Sequence, residues 1–170
     1  MKPLTEQEIR AAFLNCTKGE AKRLSVPRDL ADRPWDDLDF LGWRDPQAPD
    51  RAYLVTEGAE SADGPEGRAR GIVLRASAVS SWQTRRSMCS MCLTTHTGGV
   101  TLMVAPKAGR AGQQGNSVGA YICADLACSL YVRGKRDAGA GSRLPESLTL
   151  EEKIGRTVAN VAAFLAKVTA

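Results

Sequence analysis

Four of the five cysteines in this 170-residue chain fall into two short-spaced pairs, Cys89-x2-Cys92 and Cys123-x4-Cys128, with the only histidine, His96, just behind the first pair. Two such pairs some thirty residues apart constrain the fold more than any other feature. Zinc takes four soft or borderline ligands converging tetrahedrally, and an intervening hairpin can bring two pairs together for that purpose. Other readings stand beside this one. The cysteines can be reduced, buried small hydrophobes, or Cys89 and Cys92 can cycle through a disulfide. A redox CxxC expects a βαβ setting, which the sequence around Cys89 does not provide. Four protein ligands would also close the site to water, which argues against catalytic zinc. The favoured ligand set is Cys89, Cys92, Cys123 and Cys128, with His96 as an alternative ligand or a residue supporting one.

The residues between the pairs supply the hairpin. Val100–Ala105 reads as a strand and Val118–Ile122 as its return, with a Gly-rich tip over residues 106–116 predicted as a mobile loop. Beyond Cys123, Asp125 is placed to N-cap a helix carrying Leu126, Leu130 and Tyr131, with Cys128 in its first turn. Knuckle, hairpin, then a helix that begins with the second pair is the order of a treble-clef finger. The four-residue gap in that pair is wider than the usual two.

The remaining segments read as a small α+β protein. A capping box at Thr5–Glu8 opens a helix with Ile9, Ala12, Phe13 and Cys16 on its apolar face, expected to end near Lys18 and Gly19. A second helical piece over Gly19–Leu24 is stopped by Pro27. Residues 35–43 pack Leu38, Phe40, Leu41 and Trp43 inward. The acids Asp36, Asp37 and Asp39 among them read as a solvated face rather than a metal site. Ala52–Thr56 and Gly71–Arg75 form an antiparallel strand pair across an exposed loop. Residues 80–88 lead into the finger, and 137–143 form a flexible connector. The last helix opens on the capping box Thr149–Glu152 and carries an apolar stripe of Leu150, Ile154, Val158, Val161, Leu165 and Val168.

The expected fold is therefore α+β: a small antiparallel sheet with N- and C-terminal helices and an inserted treble-clef-type zinc finger. Residues 1–80 form the N-terminal α+β region and 81–170 the zinc-binding domain, the two able to make one continuous globular unit.

Charge is concentrated at the finger. Between Arg85 and Arg136 seven basic residues face one acid, a net of +6 in a chain whose total is +4. Such a patch points to an acidic partner, either RNA or an acidic protein surface; a merely solvated basic face is the bland alternative. Aromatic residues nearby are few (Trp82, Tyr121 and Tyr131), so a stacking platform for single-stranded nucleic acid has little support. No apolar run approaches the roughly eighteen residues of a membrane span, and no secretory leader is visible. An odd cysteine count with metal-like spacing suits a reducing cytoplasm. Phosphate-loop, dinucleotide, HExxH and triad patterns are missing, and the chain reads as a monomeric binding protein rather than an enzyme.

The runs CSMCLTTH, TLMVAPKAGRAGQQGNSVGAYICADLACSLYVRGKR and ESLTLEEKIGRTVANVAAFL resemble the treble-clef C-terminal domain of elongation factor G-binding proteins, the FusB-type relatives associated with fusidic acid resistance. The resemblance is most specific from about Ser80 to Leu165, and the N-terminal part is shorter than the helical bundle of the resistance proteins. It implies an adaptor that binds elongation factor G through its zinc domain and promotes release of the factor from the ribosome. Cys89, Cys92, Cys123 and Cys128 fall at the family's metal positions. Aromatic and basic side chains around the finger are the implied contacts: Arg85, Arg86, Lys107, Arg110, Tyr121, Tyr131, Arg133 and Lys135. The alternative is a zinc finger that binds RNA or the ribosome without elongation factor G.

Overall fold

The computed structural model describes residues 1–58, 68–76, 86–139 and 145–170. Trp82, Arg85, most of the loop expected before Arg68 and most of the connector before residue 145 lie outside the described residues.

Thr5 and Glu8 close the expected capping box, and α1 spans Glu6–Ala12. It stops earlier than the periodicity suggests. Phe13 turns extended to bridge Gly71 of a strand, and the Leu14 amide donates to the Gly71 carbonyl at 2.9 Å. A second capping box, Thr17 with Glu20, then starts α2 (Lys18–Arg23), so Gly19 lies inside a helix instead of ending one. The three carbonyls of Ala21, Lys22 and Leu24 at the end of α2 accept from the Arg10 guanidinium, which satisfies acceptors that a helix end leaves open. A 3-10 turn at Trp35–Asp37 leads into β1 (Leu41–Arg44).

The main sheet contains β1, β2 (Arg51–Thr56), β3 (Arg70–Ala76), β6 (Val100–Pro106) and β7 (Ser117–Cys123), in that spatial order and antiparallel throughout. A separate ribbon pairs β4 (Arg86–Met88) with β5 (Thr95–Thr97). Alternation along β2 explains its unbroken apolar run, because both faces of the sheet are covered. Tyr53 and Val55 point to the side of α1 and α2, packing with Ile9, Ala12 and Trp43. Ala52 and Leu54 point to the opposite side, with Ile72, Leu74, Met103 and the finger. Among the described residues, ladder pairing between β3 and β6 covers two residue pairs. Beyond it Asn15 acts as a bridge: its amide oxygen accepts from the Val73 N–H at 2.8 Å while its NH2 donates to the Val73 and Pro106 carbonyls.

The hairpin tip is not a structureless loop. Gly109–Gln113 form one turn of helix, α3, entered through Gly109 at φ 64°, a conformation that favours glycine. A further short helix, α4, spans Cys128–Val132. Helix α5 (Leu150–Thr169) opens on the expected box of Thr149 and Glu152. Its buried face is rotated from the sequence stripe. Thr157, Val161, Phe164, Leu165 and Val168 are buried, whereas Leu150 and Val158 are 49% and 46% exposed. Thr157 tolerates the core because its hydroxyl donates to the Lys153 carbonyl at 2.9 Å, so no polar group is left unpaired there.

Candidate metal centre

The knuckle that carries the first pair is built by the backbone. The Cys89 N–H donates to the Thr94 carbonyl, the Leu93 N–H donates back to the Cys89 carbonyl, and the Met91 N–H reaches the Cys89 sulfur at 3.3 Å. Leu93 adopts φ 57° to close this turn. Two other elements clamp it: the Ser90 N–H donates to the Tyr121 carbonyl of β7, and the Asn160 amide of α5 donates to the Met91 carbonyl.

Cys123 ends β7, opposite Val100 in the hairpin. The wide gap to Cys128 is taken up by a tight turn, in which Leu126 adopts φ 59° and its N–H donates to the Cys123 carbonyl. Asp125 does not cap α4. Ala127 holds the cap position without a side-chain bond. The Asp125 carboxylate instead accepts from the Ala127 N–H at 3.1 Å and from the Tyr131 hydroxyl at 2.7 Å, and it pairs with Arg136. Cys128 opens α4 and is fully buried.

These elements bring the four sulfurs within 4.8 Å of one another. Cys89 and Cys128 are separated by 3.7 Å, and Cys92 and Cys123 by 3.6 Å. A tetrahedral ion with metal–sulfur bonds of about 2.3 Å requires sulfur–sulfur edges of about 3.8 Å, so the cluster fits zinc. Four crowded thiols cannot all ionise unaided. Hydrogen bonding, from Cys123 foremost, pulls the Cys89 thiol far below its ordinary range, while Cys128 is held well above it by its own bond with Cys123 and by burial. With these four cysteines as its ligands, a bound ion would have no coordination position left for water, which is the closed, structural arrangement.

His96 sits beside this set. Its Nε2 lies 3.3 Å from the Cys123 sulfur, and its ring meets Tyr131 edge-on at 4.5 Å. Burial lowers the pKa of the imidazole, which favours the neutral ring. Gly99 packs on its other flank, where a Cβ would come within 2.7 Å of Nδ1.

The expected contact residues are dispersed. Arg86 is exposed on β4, Arg110 is exposed on α3, and Tyr121 on β7 is 56% exposed. Lys107 reaches the Ala170 carbonyl at 3.4 Å, and Tyr131 is buried against His96. Arg133 forms a two-pronged, largely buried ion pair with Asp39 at 2.6 and 2.7 Å, and Lys135 pairs with Asp37 at 2.6 Å. Asp37 and Asp39 are therefore not a solvated acidic face but the dock for the finger. Two further contacts join β1 to the metal loop: the Arg44 guanidinium donates to the Ala124 carbonyl at 2.6 Å, and Gly42 lies so close that a Cβ would fall 2.5 Å from that of Leu126. Neither Arg44, Gly42, Gly99 nor Asn160 carries a sequence signal of this role, because each acts across a long separation. Among the described residues no helix is long and apolar enough to cross a membrane.

Neither the curated proteins nor the solved structures contain a match to the chain. The family model described as the FBP C-terminal treble-clef zinc-finger matches residues 8–168, and so takes in most of α1 and the first three strands as well as the finger. The chain belongs to the FBP C-terminal treble-clef zinc-finger family.

Proposed function

We propose that this protein is a zinc-containing adaptor that docks on translation elongation factor G and modulates the factor's interaction with, or release from, the ribosome. The observation that carries the reading is the match to the treble-clef zinc-finger family across a chain whose four buried cysteines fit the metal. The closed ligand set supports an adaptor over a zinc catalyst, since catalysis keeps a coordination position open to water or substrate. Arg86, Arg110, Tyr121 and Lys135 are exposed members of the expected contact set, and a basic surface of this kind suits an acidic protein partner.

The test is calorimetric titration of the zinc-loaded protein against purified elongation factor G, free of ribosomes and RNA. Saturable one-to-one binding, lost in Cys123→Ser, is expected. Absence of binding at about tens of micromolar would count against the reading. The finger's excess of positive charge favours one competing interpretation, an RNA-binding finger. That interpretation expects saturation by a ribosomal RNA fragment, with affinity falling steeply as salt is raised.

A further inference from the structure

On the sheet face turned away from the zinc centre, a cleft of about 210 Å3 opens between α2 and the ends of β2 and β3. Arg23 of α2, Arg51 of β2 and Arg75 of β3 line it, together with Glu20, Asp45 and Tyr53. Arg51 and Arg75 are directly opposite each other in the antiparallel register, so their side chains leave the same face side by side. Like charges in that position oppose strand pairing unless something neutralises them.

The hydrogen bonds of the two acids of the cleft go to groups other than the arginines. Asp45 accepts from the Gln47 N–H at 2.9 Å through one oxygen and from the Tyr53 hydroxyl at 2.9 Å through the other. Glu20 is turned back to Thr17, accepting from its N–H and its hydroxyl, both at 2.8 Å. Among the described residues, none of the three guanidinium groups forms an ion pair within 4.0 Å. Three guanidinium groups thus line a small concave space in which Glu20 attracts Arg23 and Arg51 only at longer range, and none of the three is closed into an ion pair.

We infer that this cleft binds a small phosphate or phosphomonoester dianion, held between the Arg51–Arg75 pair and Arg23. Guanidinium forks match the oxygens of a phosphoryl group, and three arginines against the two carboxylates Glu20 and Asp45 leave the lining net positive, as an anion requires. A cleft of this volume has room for a phosphoryl group.

The test uses the full zinc-loaded chain, titrated with inorganic phosphate against chloride at matched ionic strength, and followed by amide chemical shifts and Tm. Saturable shifts confined to residues around 16–24, 45–53 and 73–75 are expected, with a phosphate-dependent rise in Tm. Arg75→Gln should weaken this binding by about tenfold or more, while in chloride its Tm is at least that of the parent, because a like-charge pair has been removed. Arg23→Gln, on the opposite wall and outside the strand register, should weaken phosphate binding similarly and covers the case in which the strand variant folds poorly. Shifts scattered over Arg86, Lys107 and Arg110, or phosphate affinity unchanged in both variants, would overturn the inference. So would saturation of the cleft by a six-nucleotide RNA but not by phosphate.

Discussion

Arg133 and Asp39 lie 94 residues apart in sequence, yet their ion pair anchors the zinc finger to the first half of the chain. Side-chain exposure is 14% for Arg133 and 8% for Asp39, so water competes little for either group. The Asp39 N–H also donates to the Ser129 hydroxyl of α4 at 3.0 Å, which fixes the carboxylate's approach. Replacing Arg133 by Met removes both hydrogen bonds and strands a buried carboxylate. Breaking a buried pair in this way costs about 3 kcal/mol, toward the lower end of the usual range because the arginine edge keeps some solvent contact. For a chain of this length that is a fall in Tm of about 6–12 °C. Urea titration of the zinc-loaded protein, followed by tryptophan fluorescence, should report the loss as a lower midpoint at unchanged slope. Zinc transfer to a chromophoric chelator should also quicken, since Arg133 is the C-cap of the helix that opens on Cys128. The double variant Asp39→Leu/Arg133→Met removes both charges, and its stability should return to within about 1 kcal/mol of the parent. A single-variant cost below about 1 kcal/mol, or a double variant whose loss is the sum of the two singles, would refute this account.

Three other predictions follow from the same geometry. Gly99→Ala pushes a Cβ into the His96 ring, displacing the imidazole from Cys123, and should destabilise the protein by about 1–3 kcal/mol with faster zinc loss; thermal melts and chelator kinetics matching the parent would disprove the packing role. Burial, then the Asp45 hydrogen bond, pushes the Tyr53 hydroxyl from an ordinary value of 10.0 up to about 12. The unfolded chain therefore loses this proton first as pH rises. Tyr53's contribution is complete below about pH 10 and is lost as pH climbs through about 12, which ultraviolet phenolate titration against Tyr53→Phe would reveal. Removal of zinc by a chelator should release one metal ion per chain and unfold the finger, because structural zinc contributes folding free energy directly; retained amide dispersion around the four cysteines after metal loss would contradict that.

Local chemistry made much of the fold legible in the sequence. The cysteine pairs, the hairpin between them and the capping boxes at Thr5 and Thr149 each depend on residues a few positions apart, and each forms as the spacing implies. The break after α1 also had a local signal, Thr17-x-x-Glu20, but the apolar periodicity through Cys16 masked it. The true face of α5 was hidden for a different reason. A stripe reports which residues are apolar, whereas burial depends on where the helix meets the sheet, and that contact favours Thr157 and Phe164 over Leu150 and Val158.

By itself, the sequence determined the metal chemistry, the finger's order of elements and the helix starts, because those are set by ligand type, turn residues and backbone capping within a few residues. Tertiary structure alone decided which charges remain available. The seven basic residues of the Arg85–Arg136 stretch look equivalent in the sequence, yet Asp39, Asp37 and Asp125 take up Arg133, Lys135 and Arg136 while Arg110 stays exposed. Likewise, Arg51 and Arg75 become a pair only because antiparallel β2 and β3 set them opposite each other. Charge is a property of residues, but its neutralisation depends on distances that only the folded chain fixes.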